Sequence, residues 1–178
     1  MSKLDGKKIA ILASDGFEQS ELQQPLDALR KAGATVEVIT PDGKPIRGWK
    51  DKNWGDTVQA DRALADADAA GYDALVLPGG VINPDTLRRN ADAVAFIQAV
   101  GKAGKPVAAI CHGPWLLVES GLAKGHKVTS WPSIRTDLVN AGADWQDAEV
   151  VIDGNLITSR KPDDIPAFNA AIGKALAG

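Results

Sequence analysis

The nucleophile and base chemistry available to this 178-residue chain is sparse and concentrated: one cysteine, Cys111, with one of only two histidines, His112, directly beside it. They sit inside Lys105-Pro106-Val107-Ala108-Ala109-Ile110-Cys111-His112-Gly113-Pro114-Trp115-Leu116-Leu117. A short apolar, partly β-branched run ends abruptly in Cys-His-Gly-Pro, and a second apolar run follows, which reads as strand, sharp turn, helix. Ala109 and Gly113 flank the thiol in the small-x-nucleophile-x-small pattern that lets a strand reverse while one side chain is held up at the bend. Pro114 suits the first turn of a helix, so Cys111 is expected at that helix's N-terminus, where dipole and free N–H groups favour thiolate and lower the thiol pKa. A buried structural cysteine is the alternative fate, but it needs no such turn chemistry.

Such a turn requires a scaffold. Lys7-Lys8-Ile9-Ala10-Ile11-Leu12-Ala13 reads as a strand buried on both faces of a parallel sheet, broken by Ser14-Asp15-Gly16-Phe17. Glu18 to Ala32 carries Leu22, Leu26 and Leu29 on one helical face, with Gly33 as its C′ glycine. Thr35 to Thr40 reads as the next strand and Pro41-Asp42-Gly43-Lys44 as a turn. From Pro45 to Asp61 the pattern weakens into a hairpin or loop excursion, whose Trp49 and Trp54 are expected to cover the domain's own edge. Leu64 to Ala70 reads as a short helix and Tyr72 to Leu77 as a buried strand ending in Pro78-Gly79-Gly80. A helix starting at Asn83-Pro84-Asp85 carries Ala93, Phe96, Ile97 and Val100 inward. Beyond the Cys111 turn come a strand over Lys127–Trp131, a helix from Pro132 with Ile134, Leu138 and Ala141, a hairpin about Asp153-Gly154-Asn155, and a last helix from Pro162.

Strands alternating with helices imply an α/β doubly wound sandwich, with a mostly parallel central sheet, helices on both faces and a small β-hairpin. In such sheets the crevice lies at the carboxyl ends of the strands. Asp15-Gly16-Phe17-Glu18, Gly79-Gly80 and Cys111-His112 all fall there. Glu18, the acid directly after the first strand, is expected to face the thiol as a protonated hydrogen-bond donor with a raised pKa. Gly79 and Gly80 offer accessible N–H groups suited to an oxyanion hole. Neighbouring side chains on a tight turn commonly point apart, so His112 is expected to orient substrate, or to act as a base if an acid reaches it. His126, in a charged turn, reads as solvated.

Length and composition narrow the classes. One domain over residues 1–178 suffices. A net charge of −3 and a pI near 5.4 give no basic surface for nucleic acid or anionic lipid. One cysteine precludes an intrachain disulfide, and two histidines without clustered thiols make no metal site. The polar start Met-Ser-Lys-Leu-Asp and the lack of a long apolar run suggest a cytoplasmic protein with no membrane span. Gly79-Gly80 lacks nucleotide-loop spacing, and no cofactor is expected.

Ala109-Ile110-Cys111-His112-Gly113-Pro114, with Asp15-Gly16-Phe17-Glu18, Leu77-Pro78-Gly79-Gly80, Thr129-Ser130-Trp131-Pro132 and Thr158-Ser159-Arg160-Lys161-Pro162, resembles the ThiJ/PfpI superfamily, most closely its PfpI-like intracellular protease and general stress protein branch. The resemblance runs from about Lys7 to the carboxyl terminus. It implies a flavodoxin-like fold related to class I glutamine amidotransferase domains. It also implies Cys111 as nucleophile, Glu18 as its carboxyl partner, and Gly79, Gly80, Gly113 and His112 as the oxyanion and substrate-orienting region. In the PfpI branch an acid from a neighbouring subunit completes a Cys-His-acid triad; Asp85 occupies that stretch here, where glutamate is usual. The implied activities are glyoxalase or deglycase action on reactive dicarbonyls or their adducts, and cysteine peptidase action on peptide-like substrates, in a homodimer or higher homo-oligomer. A non-enzymatic sensor, with Cys111 as the oxidised switch, is the reading from another class.

Overall fold

The computed structural model describes residues 3–178. Met1 and Ser2, where the polar start begins, lie outside the described residues. The first half of the chain forms β1 (Lys8–Leu12), β2 (Phe17–Glu18), α1 (Gln19–Lys31), β3 (Thr35–Thr40), β4 (Ile46–Lys50), β5 (Asn53–Val58), β6 (Arg62–Ala63) and β7 (Ala74–Leu77). The second half forms α2 (Ile82–Leu87), α3 (Ala91–Lys102), β8 (Val107–Ile110), α4 (Trp115–Glu119), β9 (Lys127–Val128), α5 (Arg135–Asn140), β10 (Asp144–Trp145), β11 (Val151–Asp153), β12 (Leu156–Ser159) and α6 (Ile165–Ala177).

The continuous apolar runs become the middle of a seven-stranded sheet ordered β11-β12-β8-β7-β1-β3-β6. All of its pairings are parallel except the β11–β12 hairpin at one edge. Side-chain alternation divides each central strand between two cores. Ile9, Ile11, Val76, Ala108 and Ile110 face Leu22, Leu26 and Leu29 of α1 and Phe168, Ile172 and Leu176 of α6. Ala10, Leu12, Leu75, Leu77 and Ala109 face Phe96, Ile97 and Val100 of α3 and Leu116 and Leu117 of α4. Each of the larger side chains contributes about 1.5–3 kcal/mol on burial, which is why the strands that end at the site are the most deeply held.

Gly33 does end α1, at φ 105°. The excursion after Pro45 is a hairpin outside the main sheet: β4 and β5 pair antiparallel, and β4 also pairs with β2. Several sequence-based elements are corrected. Leu64 to Ala70 forms no α-helix but two single 3-10 turns, Leu64–Asp66 and Ala69–Gly71, because the Asp68 side chain accepts the Ala70 N–H and ends any continuation. The helix expected from Asn83 is two, since the Asn90 side chain caps a fresh start at Asp92 and Ala93. Only Lys127–Val128 of the Lys127–Trp131 run is strand, paired with β10 in a separate two-stranded sheet; beyond it, the Trp131 N–H goes to the Cys111 carbonyl. Among the described residues no helix is long and apolar enough to cross a membrane.

Candidate active site at the carboxyl edge of the sheet

β1, β7 and β8 deliver their carboxyl ends to one cavity of about 680 Å³. Cys111 leaves β8 at φ 64°, a left-handed conformation that costs a non-glycine residue about 1–2 kcal/mol. Three backbone hydrogen bonds enforce it: Cys111 N–H to the Ser159 carbonyl (3.0 Å), Gly113 N–H to the Ile110 carbonyl (2.8 Å), and Trp131 N–H to the Cys111 carbonyl (2.9 Å). Such strain persists only where the surroundings determine it this thoroughly. α4 itself begins only at Trp115, with Pro114 as its N-cap, so the thiol stands a full turn ahead of that short helix.

The carboxyl nearest the thiol belongs to Glu21, in the first turn of α1. Its side chain is fully buried, Oε1 accepts the Gly79 N–H at 2.9 Å, and Oε2 makes no hydrogen bond of standard geometry among the described residues. The Cys111 thiol is the side-chain group that reaches this carboxyl. Burial, reinforced by the nearby Glu18 charge, pushes the Glu21 pKa up to about 8 against the pull of the Gly79 N–H and the thiol. Glu21 therefore holds its proton at neutral pH. Glu18, expected at the thiol, is instead a half-buried carboxyl lining the cavity; burial, then the charge of Asp51, raise its pKa.

The thiol does not follow the expectation of a low pKa. Burial pushes it up, and a Glu21 carboxylate would push it further, against the Gly80 and His112 N–H groups that face the sulfur. Cys111 and Glu21 thus titrate as a pair, and the thiolate is least opposed while Glu21 is protonated. His112 does not point away: its Nδ1 lies 3.3 Å from Sγ, and Nε2 lies 3.4 Å from the Ser133 hydroxyl. Its ring stacks on Trp131 and meets Trp115 edge-on, and burial lowers its pKa, so it is neutral at pH 7.

The glycines divide by role. A Cβ on Gly79 would stand 2.7 Å from the Cys111 Cβ, and its N–H is already taken by Glu21, so the N–H left to face the sulfur is that of Gly80, at φ 77°. Gly113 is a packing residue: its Cβ would lie 2.6 Å from the Leu77 carbonyl, and its N–H is taken by Ile110. Asp85 sits exposed in the first turn of α2 and does not itself line the cavity, although its N–H donates to the carbonyl of Val81, which does. Its neighbour Asn83 is fully buried, accepting the Ser14 N–H at 2.8 Å and donating to the Pro78 and Gly79 carbonyls, which pins the glycine pair to the end of β1.

Sequence reasoning passed over Glu21, Asn83, Lys52, Ser133 and the Trp131 wall. For Glu21 a signal existed, because Glu21, Pro25 and Leu29 recur at helical spacing and place a carboxyl on the buried stripe of α1. Among the described residues no group of three or more His, Cys, Asp or Glu could hold a metal ion.

Known proteins share both sequence and shape. YraA of Bacillus subtilis, which carries a cysteine-protease name, is 46% identical over 164 residues, covering 92% of this chain and 94% of its own. Protein/nucleic acid deglycase 2 of Escherichia coli is 46% identical over 165 residues, with the same coverage of 92% and 94%. The crystal structure of Drosophila melanogaster DJ-1beta superposes with a TM-score of 0.89 at 32% identity, covering all of this chain and 92% of that one. The family model for DJ-1/PfpI matches residues 7–175, and the chain belongs to the DJ-1/PfpI family.

Proposed function

We propose that the cavity is the active site of a cysteine-dependent enzyme that acts on small reactive dicarbonyls or their adducts, with Cys111 as nucleophile and Glu21 as the carboxyl that exchanges a proton with it. The observation that carries this reading is a strained, buried thiol beside a buried carboxyl whose pKa of about 8 lies near neutral pH, where a proton carrier works best. Sulfur attacks the aldehyde carbon of methylglyoxal; the C–S bond forms, and the S–H bond breaks with its proton passing to Glu21. The carbonyl electron pair moves to oxygen, which takes the proton Glu21 held, leaving a hemithioacetal. A cavity carboxylate then removes the C1 hydrogen as a proton while the C2 oxygen is protonated, giving an enediol. C2 takes up a proton and the C1 hydroxyl gives one up, so that the hydrogen has moved from C1 to C2 and the hydroxyl proton from the C1 to the C2 oxygen, leaving a lactoyl thioester. Water cleaves the thioester to lactate and restores the thiol, so that methylglyoxal and water balance lactate. Glu18 is the second carboxyl in the cavity available for these transfers.

The deglycase name among the relatives supports this chemistry. The cysteine-protease name supports the peptidase alternative, which requires an acid on His112. Within the chain His112 Nε2 meets the Ser133 hydroxyl instead, which favours carbonyl chemistry. A homo-oligomer in which a second copy brings Asp85 to His112 would restore the triad. It predicts that mixing Cys111→Ala and Asp85→Ala chains regains peptidase activity. The deciding assay follows lactate from methylglyoxal and, in parallel, cleavage of a fluorogenic peptide by reduced protein. Lactate that disappears in Cys111→Ala is the expected result. Turnover of neither substrate, with clean conversion of Cys111 to its sulfinic acid by peroxide, would replace the enzyme by a sensor.

A further inference from the structure

The cavity that holds Cys111 is also lined by a cation, Lys52, that makes no ion pair among the described residues. Hairpin β4–β5 turns at Asp51 and Lys52, at φ 49° and 62°. A two-residue turn of this hand usually employs Asn-Gly or Gly-Gly, because each non-glycine residue in it is strained. The strain has a result: the turn brings Lys52, together with Trp49, to line the cavity with Cys111 and His112. The hairpin is also fixed in place. β2 pairs with β4 at Glu18 and Trp49, and the Gln19 side chain both accepts the Asp56 N–H (2.8 Å) and donates to its carboxylate (3.2 Å). Trp49 and Trp54 meet edge to face, centroids 5.4 Å apart.

Lys52, like most lysines of the chain, has no carboxylate within ion-pair distance among the described residues; what sets it apart is that it lines the cavity, which Glu18 shares. Trp49, Val81, Ile82 and Trp131 give the cavity most of its apolar lining, beside the carboxyls of Glu18 and Glu21. Val81, Ile82 and Trp131 are exposed, at 54%, 42% and 39%, in surface positions where large apolar side chains gain nothing without a ligand.

We infer that Lys52 determines specificity at this site by receiving an anionic group, a carboxylate, on a substrate whose apolar body lies along Trp49 and Trp131 while its reactive carbon meets Cys111. The inference rests on the reading of the cavity as a substrate site, and its test is independent of turnover. Substrates are then carbonyl adducts that carry a carboxylate in preference to neutral ones of the same size.

The experiment measures protection of Cys111 from iodoacetamide by two unreactive probes of equal shape, N-acetylmethionine and its amide. In the unchanged protein the acid is expected to protect at about fivefold lower concentration than the amide, the size of one partly exposed ion pair, with the difference shrinking in high salt. Lys52→Ala should bring the two probes level, and Lys52→Arg should keep the preference. Equal protection by acid and amide in the unchanged protein, protection by neither, or a preference that persists in Lys52→Ala would overturn the inference. A preference seen in a protein that makes no lactate would leave Lys52 as anion reader and remove the proposed reaction instead.

Discussion

Replacing Glu21 by Gln should abolish a steep loss of stability between acid and mildly alkaline pH. In the unfolded chain Glu21 ionises near its ordinary value of 4.5, and in the fold only near 8. Because the folded value is the higher one, the native state holds the extra proton between those limits. Its stabilising contribution is fully present below pH 4.5 and is lost as pH rises through about 8. At about 1.4 kcal/mol per pH unit, the whole window is worth on the order of 5 kcal/mol, and the stretch from pH 5 to 7.5, where both ends lie close to a pKa, about 3 kcal/mol. Gln keeps the oxygen that accepts the Gly79 N–H but cannot ionise. The comparison is made in a Cys111→Ser background, so that thiol titration does not enter, by urea unfolding at half-unit pH steps. The stability of the Glu21 protein minus that of Glu21→Gln should fall by about 3 kcal/mol from pH 5 to 7.5. A difference that stays constant within about 0.5 kcal/mol would mean that Glu21 is ionised throughout, and the proton-exchange role argued for it would fall.

Three further outcomes follow from the same geometry. The midpoint of Cys111 alkylation against pH should drop in Glu21→Gln relative to the unchanged protein, because the carboxylate charge that opposes the thiolate is gone; an unchanged midpoint would separate the two groups. Gly80→Ala should lower stability by at least about 2 kcal/mol in urea, since it forces a left-handed residue and sets a Cβ 2.8 Å from the Glu18 N. Asn83→Ala should cost about 1–3 kcal/mol, because the buried Ser14 N–H loses its partner. Asn83→Asp, which cannot donate to the Pro78 and Gly79 carbonyls, should be no better.

The fold was legible wherever burial on both faces writes itself as an unbroken apolar run: β1, β7 and β8, and with them the convergence of Gly16, Gly80 and Cys111 at one edge. It was less legible where short segments depend on local side-chain competition. Asp68 and Asn90 each capture N–H groups that a longer helix would have used, so Leu64 to Ala70 is two turns, and the helix after Asn83 is broken. Within the site, adjacency in sequence misled about which carboxyl enters. Glu18 follows β1 directly, but α1 starts at Gln19, and its rotation sends Glu21 beneath the thiol and leaves Glu18 on the cavity wall. The contact between Cys111 and His112 depends on the left-handed backbone at Cys111, which turns consecutive side chains toward each other. Lys52 gave no signal, since hairpin tips carry no periodicity and only the positive φ values of Asp51 and Lys52 set its place.

The central claim, that Cys111 forms a covalent bond with a dicarbonyl under the control of Glu21, is tested most directly by rapid-quench mass spectrometry of the protein mixed with methylglyoxal. A single adduct with the mass of one methylglyoxal should appear on the peptide containing Cys111 and decay at the rate at which lactate is formed. In Glu21→Gln it should decay several-fold more slowly. Lactate formed without any Cys111 adduct, or formed undiminished by Cys111→Ala, would contradict the account.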